Sequence, residues 1–436
     1  MTFYGGVGEI GGNKILLKDR DTSVFFDFGM SIGMKKRYYS MPFISPRSER
    51  SLLAFGLLPS IGGIYRFDEK ERSVDAVFLS HSHTDHAAYI SFLRQDIPVY
   101  CGETTATILR ALDSTRGGRF EFDLNGRSFK TFRTGNNIRI GDIEVEPIHV
   151  DHSVPGAYGF LIHTSAGSIV YTGDLRLHGE RPQMSEEFIE ASRNAHPVAI
   201  VTEGTNMTGA AISSEAEVGD KICTVVQGTS GIVLADFAGG DIDRLRSFHD
   251  MSRKCGRSLA ITMRQAYLLN KLKGDPHLRL PEFAGDRMLV FRKEKKRYYH
   301  WEKEVMDREN VVDSARIAAM QSKVVLVCGF YDFEELVDIK PVPQSCYILS
   351  SSEPYDEEME LDFERLVNWL VYYGLPQYHI HVSGHIMPLQ LLDMLKRIGA
   401  RCVFPIHCQY PDLFARFVCG IGGEVKRIEL GREYPL

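Results

Sequence analysis

Three imidazoles and one carboxylate stand within six residues in His81-Ser82-His83-Thr84-Asp85-His86, directly after the apolar run DAVFLS at 75–80. Polar groups crowded at the end of a buried strand are costly to place unless something coordinates them. A turn there can point His81 and His83 to one side and Asp85 and His86 to another. That arrangement suits two adjacent metal ions with nitrogen and oxygen ligands, the coordination Zn²⁺ accepts. The scaffold this demands is a rigid sheet whose strand ends carry the chemistry.

Further candidates stand at other strand ends. His149-Val150-Asp151-His152 closes the strand IEVEPI, and Asp174 closes SIVYTG. A carboxylate such as Asp174 can bridge two metals, which a neutral imidazole does not easily do. Glu203 in VTEGT, His385 in HVSGH and His407 in FPIHCQY complete the set.

Composition sets the outer bounds. The chain has 436 residues, 44% of them hydrophobic and 25% charged, enough for a sizeable core and inconsistent with disorder, collagen repeats or a small disulfide scaffold. Its 51 Lys+Arg against 57 Asp+Glu give a net charge of -6, which argues against a wholly basic surface but leaves room for a local groove. None of the eight cysteines forms a CxxC pair, so buried free thiols in a reducing compartment are expected. The N-terminus lacks the pattern of a signal peptide, and no run approaches about 18 apolar residues. No membrane partner is expected, and a cytoplasmic location is.

The first ~200 residues read as short strands broken by Gly and polar turns. From about 206 the texture changes. GIVLADF (231–237) and VVLVCGF (324–330) look like buried parallel strands, and DIDRLRSFHDMSRKCG and RQAYLLNKLKG like amphipathic helices closing on Gly. Near 380 the first texture returns. One domain over 1–205 and 376–436, interrupted by an α/β domain over 206–375, is the layout expected.

The set HxHxDH, a later His and a later Asp resembles the metallo-β-lactamase fold of hydrolases. With Glu203, His385 and His407 the chain is similar to the β-CASP subfamily, which includes ribonuclease J and the endonuclease of pre-mRNA 3′-end cleavage. The resemblance implies an α/β fold, an αββα sandwich with an inserted α/β β-CASP domain. It implies that His81, His83 and His152 hold one zinc and Asp85, His86 and His407 the other, with Asp174 bridging: two Zn²⁺ per chain. Asp27 in FFDFG matches a position that orients the ligands. His149 reads as packing or as support for His152, and Asp151 lies off the motif.

The activity implied is a zinc-dependent ribonuclease that hydrolyses RNA phosphodiester bonds through a two-metal-activated hydroxide. Asp85, Glu203 and His385 are the candidate catalytic residues. His385 is the acid for the departing 3′-oxygen, and Glu203 holds and charges it. A His at the last motif accompanies RNA-directed members, so His407 favours RNA. Cys408-Gln409 stand where ribonuclease J typically has Gly and Glu, a departure from that member, and with about thirty residues after His407 a compact stand-alone member of the subfamily is the expectation. The alternatives are a DNA nuclease of the same architecture and a non-catalytic RNA-binding protein that keeps the fold.

Candidate contacts to single-stranded RNA are Ser383 and Gly384 ahead of a helix near Pro388, Ser351 and Ser352 after the strand CYIL, and Arg244 on the helix that follows Gly239-Gly240. The run Arg292–Arg297 with Tyr298, Tyr299 and Trp301 fits either solvated surface, slightly favoured, or a stacking platform for a single strand. Homo-oligomerisation is left open by the residues.

Overall fold

The computed structural model describes residues 1–40, 43–116, 120–209, 213–281, 287–307, 310–351 and 357–436. The chain divides into two compact units, Met1–Ala210 with Gly384–Leu436, and Ala211–Ser383.

The first unit holds a six-stranded and a seven-stranded sheet. The six-stranded sheet runs, in order, through Thr2–Gly5, Lys14–Asp19, Thr22–Phe26, Ala76–Phe78, Val99–Gly102 and Phe129–Phe132. The other runs through Glu424–Val425, Cys402–Ile406, Ala199–Glu203, Gly167–Tyr171, Tyr158–Thr164, Ile143–His149 and Ile138–Ile140.

Side-chain alternation explains why these strands form layers. Ile15 and Leu17, Val24 and Phe26, Ile169 and Tyr171, Ala199 and Val201, and Phe404 and Ile406 all enter one core between the two sheets. Their sequence neighbours point the other way. Leu16 and Phe25 join Leu52, Tyr89 and Leu109 beneath helices of the first sheet. Val170, Ile200 and Val403 join Phe188, Ile189, Leu391 and Leu395 beneath helices of the second. Three apolar interfaces thus stack helix, sheet, sheet and helix, the αββα sandwich of the metallo-β-lactamase fold.

The second unit is a seven-stranded sheet in the order Val311–Val312, Met288–Phe291, Ser258–Thr262, Val324–Val327, Val233–Asp236, Cys346–Leu349 and Gln377–His379. Every pairing in it is parallel. Val233, Leu234 and Ala235 are all fully buried, as both faces of a parallel sheet demand. Helices Glu215–Gly228, Ile242–Lys254, Met263–Leu272 and Glu357–Tyr373 connect or flank its strands. Among the described residues no helix is long and apolar enough to cross a membrane.

Candidate metal centre

Most residues of the centre sit at or just beyond the end of a strand of the first unit, and His385 precedes the helix Pro388–Ile398. Ala76–Phe78 leads through Leu79 and Ser80 to His81 and His83, and the single turn Thr84–Ala87 turns Asp85 and His86 inward. This turn is clamped by backbone bonds from Asn13 to Asp85, Phe28 to His86 and Met30 to Thr84. Glu203 is the last residue of its strand, and His407 directly follows the parallel neighbour Cys402–Ile406, in register with it.

The side chains converge on Asp174. Its Oδ2 lies 3.1 Å from His86 Nε2 and 3.7 Å from His81 Nε2, His407 Nε2 and His385 Nδ1, and 3.9 Å from His152 Nε2. His83 Nδ1 sits 3.0 Å from His81 Nε2 and 3.2 Å from His152 Nε2. On the other side, Asp85 Oδ2 lies 3.1 Å from His407 Nε2 and 3.8 Å from His86 Nε2. Ligand atoms at about 2.0–2.1 Å from a tetrahedral ion stand about 3.3–3.4 Å apart, so these spacings suit a cation.

Three groups of metal-capable side chains result: His81, His83, His152 and Asp174; Asp85, His86 and His407; and Asp174, Glu203, His385 and His407. Both carboxylate oxygens of Asp174 and Nε2 of His86 are buried without a hydrogen bond. Buried ligand atoms left unpaired in this way are costly unless a cation meets them. The donor set therefore fits a divalent metal.

Electrostatics agree. Burial, with the neighbouring imidazoles, holds His81 and His152 well below the usual histidine range, and burial brings His83 down to about 4. All three are neutral and ligand-ready. Burial alone would lower His86 as well, but Asp174, Asp27 and Asp85 outweigh it and push that group well up. Burial likewise opposes His385, whose pKa Glu203 and Asp174 nevertheless raise to about 9.

The outer contacts set the tautomers. Asp27 Oδ2 accepts from His86 Nδ1 at 2.7 Å, from Ser80 Oγ at 2.7 Å and from Tyr171 OH at 2.5 Å. Ser80 Oγ, having donated to Asp27, accepts from His81 Nδ1 at 3.0 Å. His152 Nδ1 donates to the Gly384 carbonyl at 2.6 Å. Thr205 Oγ1 donates to Glu203 Oε2 at 2.7 Å and accepts from His407 Nδ1 at 2.8 Å. In His81, His86, His152 and His407 Nδ1 is engaged outward and Nε2 faces Asp174, whereas His83 turns its Nδ1 toward His81 and His152 and His385 turns its Nδ1 toward Glu203.

Ser80, Tyr171, Asn13, Thr205 and Asn206 carry no local sequence signal and were not among the expected residues. Asn13 Nδ2 donates to Tyr171 OH at 3.2 Å, and Asn206 Nδ2 to the His385 carbonyl at 2.8 Å. The N-terminal segment GGVGEIGG was also missed, although its paired glycines were a visible cue. The Gly6 carbonyl accepts from the His407 N–H at 2.9 Å, and a Cβ on Gly11 would stand 2.4 Å from Asp85 Oδ2.

The structure places the remaining candidates as follows, with Arg244 corrected. Arg244 is fully buried, not open to a phosphate. Its guanidinium pairs with Glu215 at 3.0 Å and donates to the Ser350 carbonyl at 2.9 Å. His149 meets Thr134 and Glu187 at the surface rather than a ligand, and the Asp151 carboxylate is committed to Arg176. The basic run is partly neutralised: Arg292 pairs with Asp313, Lys293 with Asp332 and Lys295 with Glu302. Gly384 faces the centre through its carbonyl, and a side chain on it would press on Ser153 Oγ at 2.9 Å and His152 at 3.3 Å. Ser383 is half-buried, and the Ser351 carbonyl accepts from His379 Nε2 at 3.0 Å. Ser352 lies outside the described residues.

Comparison with known proteins adds the following. Residues 65–221 match the family described as a beta-lactamase superfamily domain. Ribonuclease J 2 of Streptococcus pyogenes serotype M3 is 22% identical over 432 residues, 95% of this chain and 70% of that protein. Ribonuclease J of Sinorhizobium meliloti is 23% identical over 81% of this chain and 61% of its own length. Ribonuclease J of Thermus thermophilus is 26% identical over 92% of this chain and 67% of its own. Among solved structures, a protein of unknown function from Enterococcus faecalis V583 superposes with a TM-score of 0.79 at 22% identity, covering 99% of this chain and 98% of that one.

Proposed function

We propose, for a chain of metallo-β-lactamase fold that is ribonuclease J-like along its length, that it is a zinc-dependent ribonuclease hydrolysing RNA phosphodiester bonds. The observation that carries the reading is Asp174: a buried carboxylate ringed by imidazole nitrogens, with both of its oxygens outside any hydrogen bond.

His81, His83 and His152 would hold one ion, and Asp85, His86 and His407 the other, with Asp174 between. When bound, the ions supply an acidified water and stabilise charge developing at phosphorus. The chain's own residues do the rest. His385 is open to solvent, its side chain 20% exposed against 0–1% for His81, His86, His152 and His407. Its Nδ1–H is committed to Glu203 Oε2 at 3.0 Å, so Nε2–H is the proton it can give to a departing 3′-oxygen. Glu203 is itself fixed by the Leu175 N–H at 3.0 Å and by Thr205. Asp27 holds His86 and Ser80 and never needs to touch substrate.

RNA is preferred to DNA because the relatives matched bear the name ribonuclease J and because His407 occupies the last motif. We assign the insertion at 206–375 and a single-stranded substrate to the same reading. The test is metal content by mass spectrometry on the purified chain, with cleavage of end-labelled RNA and single-stranded DNA. About two zinc ions per chain and RNA cleavage are expected. Cleavage confined to DNA would give the DNA nuclease, and RNA binding without cleavage in the metal-loaded chain would give the non-catalytic protein.

A further inference from the structure

The second unit contains a thiol pair that the metal chemistry does not use. Cys223 lies in the helix Glu215–Gly228, and Cys255 caps the C-terminal end of Ile242–Lys254. The two helices run parallel side by side. Arg244 and Glu215 pair near their starts at 3.0 Å, and the two sulfurs meet further along at 3.7 Å. Both cysteines are free thiols, Cys223 buried and Cys255 partly accessible.

We infer that Cys223 and Cys255 form a redox-active dithiol, a modification site at which two-electron oxidants such as hydrogen peroxide or a glutathione disulfide close an intramolecular disulfide. Closure shortens the sulfur separation from 3.7 Å to about 2.05 Å. With peroxide, the Cys255 thiolate attacks one oxygen, the O–O bond breaks, and Cys255 sulfenic acid and hydroxide form. Cys223 sulfur then attacks Cys255 sulfur, expelling the oxygen as water. Overall two thiols and one peroxide give one disulfide and two waters. With glutathione disulfide, two exchanges release two glutathione thiols.

The surroundings favour pairing over further oxidation. Cys255 is partly accessible and Cys223 lies buried beside it, so a sulfenic acid meets a thiol before a second oxidant. Arg257 helps stabilise charge there, although burial and Cys223 raise the Cys255 thiol to about 11. The reaction is therefore slow at neutral pH and faster in alkali. The bond would tie the two helices together around the strand Val233–Asp236, which lies between the two cysteines in sequence.

The experiment treats the full chain with hydrogen peroxide or glutathione disulfide, blocks remaining thiols in denaturant, and maps peptides by mass. Most chains should yield a Cys223–Cys255 linked pair two hydrogens lighter. Dithiothreitol should reverse it, and the link should be absent in Cys223→Ser and Cys255→Ser. Thermal unfolding of the oxidised chain should shift upward by about 5 °C. Recovery of Cys255 as sulfinic acid or a stable glutathione adduct, with Cys223 still alkylatable, would overturn the inference. So would a link from either thiol to another cysteine.

Discussion

Thr205 Oγ1 stands 2.8 Å from His407 Nδ1 and 2.7 Å from Glu203 Oε2, so one hydroxyl joins a candidate metal ligand to the carboxylate that charges His385. Removing it frees His407 to turn and Glu203 to swing. Thr205→Val should lower zinc affinity or turnover by about 10–100-fold, with Thr205→Ser restoring most of the loss. Zinc titration and kcat measured on both variants would check this. A loss in the Ser variant with a normal Val variant would mean that packing of the methyl matters, not the hydroxyl.

Gly11 has φ +79 and no room for a side chain, because its Cβ would overlap the Asp85 carboxylate. Gly11→Ala should push Asp85 off its ion while leaving the His81, His83 and His152 set in place. Metal analysis should fall from about two zinc ions to about one. Retention of both ions would show that the N-terminal segment yields instead of Asp85.

His385→Ala should keep its zinc and lose about 100-fold or more in kcat, the usual worth of a positioned acid. The acid acts only while protonated, so kcat should fall as pH rises through its pKa. Glu203 raises that pKa, so Glu203→Gln should move the alkaline limb to lower pH. A limb that stays in place in Glu203→Gln would assign the acid to another group.

How much of this centre could be read from sequence differs by residue. His81, His83, Asp85 and His86 are adjacent in the chain, and Asp174, Glu203 and His407 each close an apolar strand. Spacing and strand patterning are local and visible. Thr205 acts on His407, 202 residues away, and Asn13 on Tyr171, 158 residues away. Their roles exist only once sheets have aligned, and Thr or Asn in isolation reads as a turn. Arg244 failed for the converse reason. A cation after Gly-Gly is visible, whereas the buried Glu215 facing it is a product of helix packing. The alternation of Ile15, Leu16 and Leu17 between two cores was legible as strand, but which sheets faced each other was not.

Lys14 is buried, donating to the Gly12 carbonyl at 3.1 Å with its ammonium 5.5 Å from the Tyr89 ring, and burial lowers its pKa to about 8. Between about 8 and the unfolded value of 10.5 the unfolded chain binds the extra proton, so stability rises with pH across that window. The full gain is about 3 kcal/mol at 1.36 kcal/mol per pH unit. Lys14→Met removes this titration. Denaturant unfolding of both proteins from neutral pH to pH 10.5 should show the wild type gaining on the variant. A constant difference would mean that Lys14 keeps its unfolded pKa in the folded chain, with a solvated ammonium.

Arg244 separates structure from substrate binding. Arg244→Ala leaves the Glu215 carboxylate buried without its partner and should cost about 3–5 kcal/mol in unfolding free energy. The paired change Arg244→Met with Glu215→Leu removes both charges and should recover most of that loss. If the arginine only holds helices, the double variant binds RNA with wild-type affinity and an unchanged salt dependence. A phosphate contact would instead flatten the slope of log affinity against log salt by about one in the double variant, whatever its stability. Filter binding over a salt series, alongside denaturant unfolding, distinguishes the two.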